Sequence, residues 1–114
     1  MPVFKVEEVP VTPFPWRESR VLVSPKRFDS QNMFVSVNEL FPGAAHEFHS
    51  HPVDELFIVL DGEGLYEEGG VQHRIGPMSV VYAPRGTLHR TQCLGESRLR
   101  IIVVEAPPEP SAGD

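Results

Sequence analysis

Through most of its length the chain alternates apolar and polar residues in short runs, each closed by glycine or proline, and no run repeats apolar residues at helical spacing long enough for a ten-residue helix. The spacing predicts strands over 33–40, 46–51, 55–60, 65–67, 71–75, 79–83, 89–94 and 98–106. Pro42-Gly43, Pro52, Gly69-Gly70, Gly76-Pro77 and Pro84-Arg85-Gly86 separate them, and Asp61-Gly62 suits the positive φ of a tight hairpin returning the chain into Leu65. Many short strands at intervals of about 8 to 12 residues indicate an all-β sandwich or barrel. Leu56, Ile58 and Leu60 alternate with Phe57 and Val59, so this strand is apolar on both faces, as is the run from Ile101 to Val104. One face fills a barrel, and the other is left for a second sheet or a second subunit.

The ends read differently. Pro2, Pro10, Pro13, Pro15 and Pro25 forbid a helix and interrupt a strand ladder, so 1–29 is expected as an extended arm. Within it Val21-Leu22-Val23 is expected as a short edge strand, and Phe14 and Trp16 pack against the body or another subunit. Residues 107–114, opening on Pro107-Pro108-Glu109-Pro110, bury almost no apolar surface and are expected as a mobile tail without a function. The 114 residues make a single domain, with its barrel core at about 30–106. A formal charge of -6 argues against phosphate backbones and anionic lipid as partners. The longest apolar runs fall far short of a membrane span and the start lacks the apolar core of a secretory signal, so the expected setting is cytoplasmic. One cysteine, Cys93, makes neither an internal disulfide nor a thiolate cluster, which leaves His, Asp and Glu as metal ligands.

The chemistry concentrates in 43–55. Two residues apart on a strand, His49 and His51 point to one face with their roots about 6.5 to 7 Å apart and can converge on one ion. Pro52 stops the ladder, Val53-Asp54 turns the chain, and Glu55 opens the returning strand, where its carboxylate reaches the same point. A fourth ligand needs another strand, and His89 stands at the start of one, just after the 84–86 turn. His46 lies one strand face away from the pair and is expected as an exposed or loop histidine. His73 is expected at the surface or lining the barrel.

These residues resemble the cupin family, the small double-stranded β-helix or jelly-roll barrels. Its first motif is Gly, five residues, His-x-His, three or four residues, Glu, six residues, Gly. Gly43, His49, His51, Glu55 and Gly62 satisfy every position. Its second motif is matched by Pro84, Gly86 and His89, whereas Met78 stands where Gly is usual and Cys93 where Asn is usual. The resemblance spans roughly 33–106 and leaves the arm unexplained. It implies one divalent metal ion per chain held inside the barrel by His49, His51, Glu55 and His89. Without thiolates this set suits Fe, Mn, Ni, Co or Zn, and six-coordination leaves two positions open.

The resemblance also implies a metalloenzyme acting on a small oxygen-bearing organic molecule, most naturally a dioxygenase, while related cupins also decarboxylate, isomerise or cyclise. The second class is a non-catalytic module binding a sugar or other small metabolite. Glu55 is the one candidate proton acceptor, if it swings off the ion. Phe57, Tyr82, Thr91 and Cys93 are candidate pocket residues. Arg98 and Arg100 share a strand face and become carboxylate binders if that face is internal. A homodimer is expected, by packing of apolar sheet faces or exchange of arms.

Overall fold

A computed structural model describes residues 2–109. Among them there is no α-helix. The elements are one 3-10 turn, Val6–Glu8, and the strands β1 (Thr12–Pro13), β2 (Arg17–Val23), β3 (Phe34–Leu40), β4 (Asp54–Asp61), β5 (Gly64–Glu68), β6 (Val71–Ile75), β7 (Val80–Ala83), β8 (His89–Cys93) and β9 (Leu99–Ala106). They form a six-stranded sheet in the order β1-β2-β3-β9-β4-β7 and a three-stranded sheet in the order β6-β5-β8. Among the described residues no helix is long and apolar enough to cross a membrane.

The alternation along the strands sets which residues fill the space between the sheets. Phe57 and Val59 of β4, Leu99, Ile101 and Val103 of β9, and Cys93 of β8 are buried in one core with Tyr66, Ile75 and Val81. Removing a side chain such as Leu99 from water contributes about 1.5–3 kcal/mol. This core plugs one end of the barrel. At the other end the same inward faces carry Glu55, Glu105 and His89, because Glu55 pairs with Glu105 in register at the start of β4 and the end of β9.

Three expectations change. The ladder between β2 and β3 runs from Arg17 opposite Leu40 to Val23 opposite Val35, with one irregularity, and β1 lies outside it. The 17–23 run holds no proline, so a full strand forms within the arm; β1 covers only Glu18 and Ser19 on its outer side, and Val21-Leu22-Val23 keeps the edge position expected of it. Asp61-Gly62 is not a hairpin turn but a corner, since β4 and β5 belong to different sheets. Gly62 takes a φ of +90°, and a Cβ there would collide with the backbone of Arg98 and Leu99. The two-residue hairpin is Gly69-Gly70, with φ of +58° and +77° between the paired Glu68 and Val71. Met78, in the place where the motif has glycine, keeps a φ of +70°.

The third change concerns the predicted strand 46–51. It does not form a regular ladder. The chain runs beside β8 through isolated bridges at Ala45 with Gln92 and His49 with His89. Four steps on one side face three on the other, so the segment carries one extra residue, a bulge that resets which side chains face inward.

Candidate metal centre

The inward reset places His49 and His51 at the open end of the barrel, where β4 delivers Glu55 and β8 delivers His89. The turn before β8 is fixed from below: Gly86 N–H donates to the His51 carbonyl at 2.8 Å. Arg85 N–H also donates to the Asp54 carboxylate at 3.0 Å, tying the turn to the start of β4. Reciprocal backbone hydrogen bonds of 3.0 and 2.9 Å join His49 to His89. Candidate ligand atoms of His49, His51 and His89 lie within 4.8 Å of one another. Glu55 Oε1 is 3.0 Å from His89 Nε2 and Glu55 Oε2 is 3.5 Å from His51 Nε2.

Each imidazole is held by its other nitrogen. His49 Nδ1 sits 2.7 Å from the Glu47 carbonyl and His89 Nδ1 sits 2.9 Å from the Thr87 carbonyl, partners that require these atoms to carry the proton. His51 Nδ1 sits 2.8 Å from a Glu109 carboxylate oxygen and 3.5 Å from Glu105. Outer partners of this kind set the tautomer and aim the Nε2 lone pairs at a common point. Burial pushes the Glu55 carboxyl up, but the hydrogen bond from His89 and the charges of the histidines outweigh it and hold Glu55 below its usual value. Burial pulls His89 down, and its bonds to Glu55 and Thr87 reverse the effect and raise it. The 3.0 Å contact between His89 Nε2 and Glu55 Oε1 takes up the position a cation would compete for, and ligation needs His89 Nε2 free of a proton. Three neutral imidazoles and one carboxylate, preset in direction, fit a borderline divalent transition metal.

The cluster opens on a cavity of about 310 Å³ between the sheets. Phe57 and Thr91 line it. Tyr82 does not. Strand alternation turns Tyr82 outward on β7 beside Val80, leaving it 57% exposed, while Val81 and Ala83 face in. Cys93 shares the inward face of β8 with His89 and Thr91 but lies at the plugged end, fully buried, with its thiol 3.2 Å from the Ser97 carbonyl. Arg98 and Arg100 face outward and pair with Glu18 and Glu39, which removes them as carboxylate binders inside the barrel. His73 is exposed.

His46, expected as an exposed or loop histidine, lines the cavity instead, together with residues that the sequence did not single out. The bulge turns His46 inward, where its ring stacks on Trp16 at 4.3 Å and lies 3.7 Å from that of His49. Burial, with the charges of His49 and Arg17 adding, lowers His46 to about 4, so it is neutral at pH 7. Arg17 lines the opposite wall with Ser19, Ser36 and Asn38. Glu105 is buried at the end of β9, where burial above all pushes its carboxyl up to about 7, against the effect of His51. A signal for Glu105 exists in the chain: it continues the face of Leu99, Ile101 and Val103, so a lone carboxyl ends an otherwise apolar inward stripe. Of the expected tail, 110–114 lie outside the described residues. Pro108 and Glu109 are half-buried, and Glu109 reaches the His51 ring, so this part of the tail is anchored.

Residues 37–105 match the family model described as a cupin domain. An uncharacterised protein of Streptomyces coelicolor is 33% identical over 79 residues, covering 69% of this chain and 74% of that protein. The dimethylsulfoniopropionate lyase DddQ of Ruegeria pomeroyi is 33% identical over 77 residues, covering 67% of this chain but 38% of the lyase. Among solved structures, the polyketide cyclase RemF from Streptomyces resistomycificus superposes with a TM-score of 0.85 at 19% identity, covering 96% of this chain and 82% of the cyclase. That likeness is one of fold, a double-stranded β-helix.

Proposed function

The chain belongs to the cupin domain family, and on that footing we propose that His49, His51, Glu55 and His89 hold one divalent transition-metal ion in a metalloenzyme for a small oxygen-bearing organic substrate. The observation that carries this reading is the convergence of three imidazoles, each anchored through Nδ1, and one carboxylate at the mouth of a largely apolar cavity. The bound ion would supply Lewis acidity toward a substrate oxygen or, for Fe or Mn, one-electron chemistry with dioxygen. The chain's own residues do the rest. Apolar walls from Phe57, Ile101 and Val103 exclude water from the substrate's body, and Thr91 offers a hydroxyl. Glu105 lines the same cavity and is the carboxyl placed to exchange a proton with a substrate there.

Dioxygenase-like chemistry suits the donor set. The lyase named among the relatives and the cyclase among the folds extend the range to eliminations and cyclisations, for which Glu105 supports proton transfer. The reading includes a cytoplasmic setting and a second copy of the chain as partner. The outer face of β4, β7 and β9 carries Leu56, Ile58, Ile102 and Val104 beside Val80 and Tyr82, the last two 61% and 57% exposed. Light scattering is expected to give twice the chain mass of 12.8 kDa, and the single-chain mass would reject the dimer.

Elemental analysis of the native protein beside His49→Ala and His89→Ala tests the metal. About one ion per chain is expected in the native protein and almost none in either variant; unchanged content in both removes the reading. Oxygen uptake and product formation by protein loaded with Fe(II), Mn(II) or Ni(II) then test turnover on diketones, enediols, thiols and catechols. Saturable binding of a metabolite without turnover under any metal would favour a binding module instead.

A further inference from the structure

Arg17 enters the cavity from β2, on the wall facing the histidine cluster. It is the one arginine among the residues lining that cavity. Among the described residues no carboxylate lies within ion-pairing distance of it, whereas Arg85, Arg90, Arg98 and Arg100 each have one. Its hydrogen bond to another side chain is from NH1 to the neutral amide oxygen of Asn38, at 2.6 Å. Its Nε is buried with no hydrogen-bond partner. Phe14 and Trp16 lie against the guanidinium at 4.1 and 4.5 Å from its central carbon to their ring centroids.

A guanidinium recognises anions through its in-plane N–H edges and recognises aromatic rings through its faces. At Arg17 the rings are in place and the edges are underused. Withdrawing a cation from water without a counter-ion is costly, and the cost is relieved by an anion entering beside it. Burial accordingly pulls the Arg17 guanidinium below its ordinary value, and the charge of Glu105 offsets this only in part. Glu105 itself is engaged elsewhere, 3.5 Å from His51 and bonded to Glu109.

We propose that Arg17 is a carboxylate-binding residue and that the cavity takes a small organic acid, whose carboxylate pairs with Arg17 and whose other oxygen-bearing end faces the histidine cluster. This names the substrate class of the site in the preceding reading, and rests on that reading for the role of the cluster. A carboxylate fits the donors better than a neutral amide or alcohol because charge-assisted, two-point hydrogen bonding matches the planar fork. Trp16 and His46 continue the wall from Arg17 to His49, so an acid held at one end lies alongside a continuous aromatic surface.

The single tryptophan, Trp16, stacks against Arg17, so its fluorescence reports occupancy of this subsite. The test titrates pentanoate and pentanamide, alike in shape and different in charge, into metal-free protein and into protein loaded with Zn(II). Wild-type protein is expected to bind pentanoate at least about tenfold more tightly than pentanamide in both forms. The preference should fall below about twofold in Arg17→Gln and survive in part in Arg17→Lys. Asn38→Asp, which sets a protein carboxylate beside NH1, should weaken pentanoate binding at least about tenfold and keeps the test decisive if Arg17→Gln does not fold. Equal affinities, no saturable response to pentanoate, or a preference unchanged in Arg17→Gln or Asn38→Asp would overturn the proposal. Because the preference is read in metal-free protein and the metal by elemental analysis, failure of the carboxylate subsite and failure of the metal centre give different results.

Discussion

The two walls of the cavity handle charge in opposite ways. On one, Glu55 bonds to His89, His51 is bounded by Glu55 and Glu109, and the remaining imidazole nitrogens of His49 and His89 rest on backbone carbonyls. On the other, Arg17 stands over Ser19, Ser36 and Asn38 with a neutral hydrogen-bond partner and no ion pair among the described residues. The first wall compensates its own charges and directs its lone pairs at one point, as a centre for a cation does. The second leaves a positive charge to be neutralised from the cavity. Chemistry and recognition are thus assigned to different stretches of chain, joined through the stacked rings of Trp16 and His46.

The sharpest way to break this division is His89→Ala, which removes one inward nitrogen and the hydrogen-bond partner of Glu55. Metal affinity, measured by competition with a chromophoric chelator, should fall by more than about 100-fold, whereas Arg17→Gln should leave it within about threefold. Comparable losses from both would merge the walls into one site. A smaller effect is expected from Glu109→Gln, which weakens the anchor on His51 Nδ1 but leaves Glu105 at 3.5 Å. Metal affinity should drop about tenfold, the low end for an outer partner, with the thermal unfolding of metal-free protein nearly unchanged.

Two substitutions mark where the walls end. Met78 holds a left-handed backbone conformation with its side chain 77% exposed, so Met78→Gly should raise stability in urea by about 1 kcal/mol or less, relief of strain exceeding the entropy glycine adds to the unfolded chain. Tyr82→Ala should leave metal content unchanged within error, because Tyr82 faces out of the barrel; a loss of metal there would mean the outer face of β7 is coupled to the centre.

Strand positions from 54 to 106 were legible because β alternation is local: Phe57 and Val59, or Ile101 and Val103, declare a buried face within a few residues. The cluster was legible for a related reason, since His49, His51 and Glu55 lie close along the chain and His89 follows a turn at fixed spacing. Cys93 and Tyr82 show how far such reading extends. Parity put Cys93 on the correct face without saying that this level of the barrel is plugged. Tyr82, a pocket candidate by residue type, faces out of β7, where the inward residues are Val81 and Ala83.

What the sequence determined by itself is therefore the set of groups whose geometry follows from backbone period and spacing: an all-β barrel, its apolar inward stripes, and three histidines with one glutamate brought together. What only the tertiary structure decided is which other side chains share their cavity. His46 turned inward because one extra residue fits between two bridges to β8. Arg17 entered because β2 pairs along its full length with β3. Glu109 reached His51 across 58 positions of chain. These depend on register and closure between distant strands, and such long-range pairing leaves no periodic trace in either partner alone.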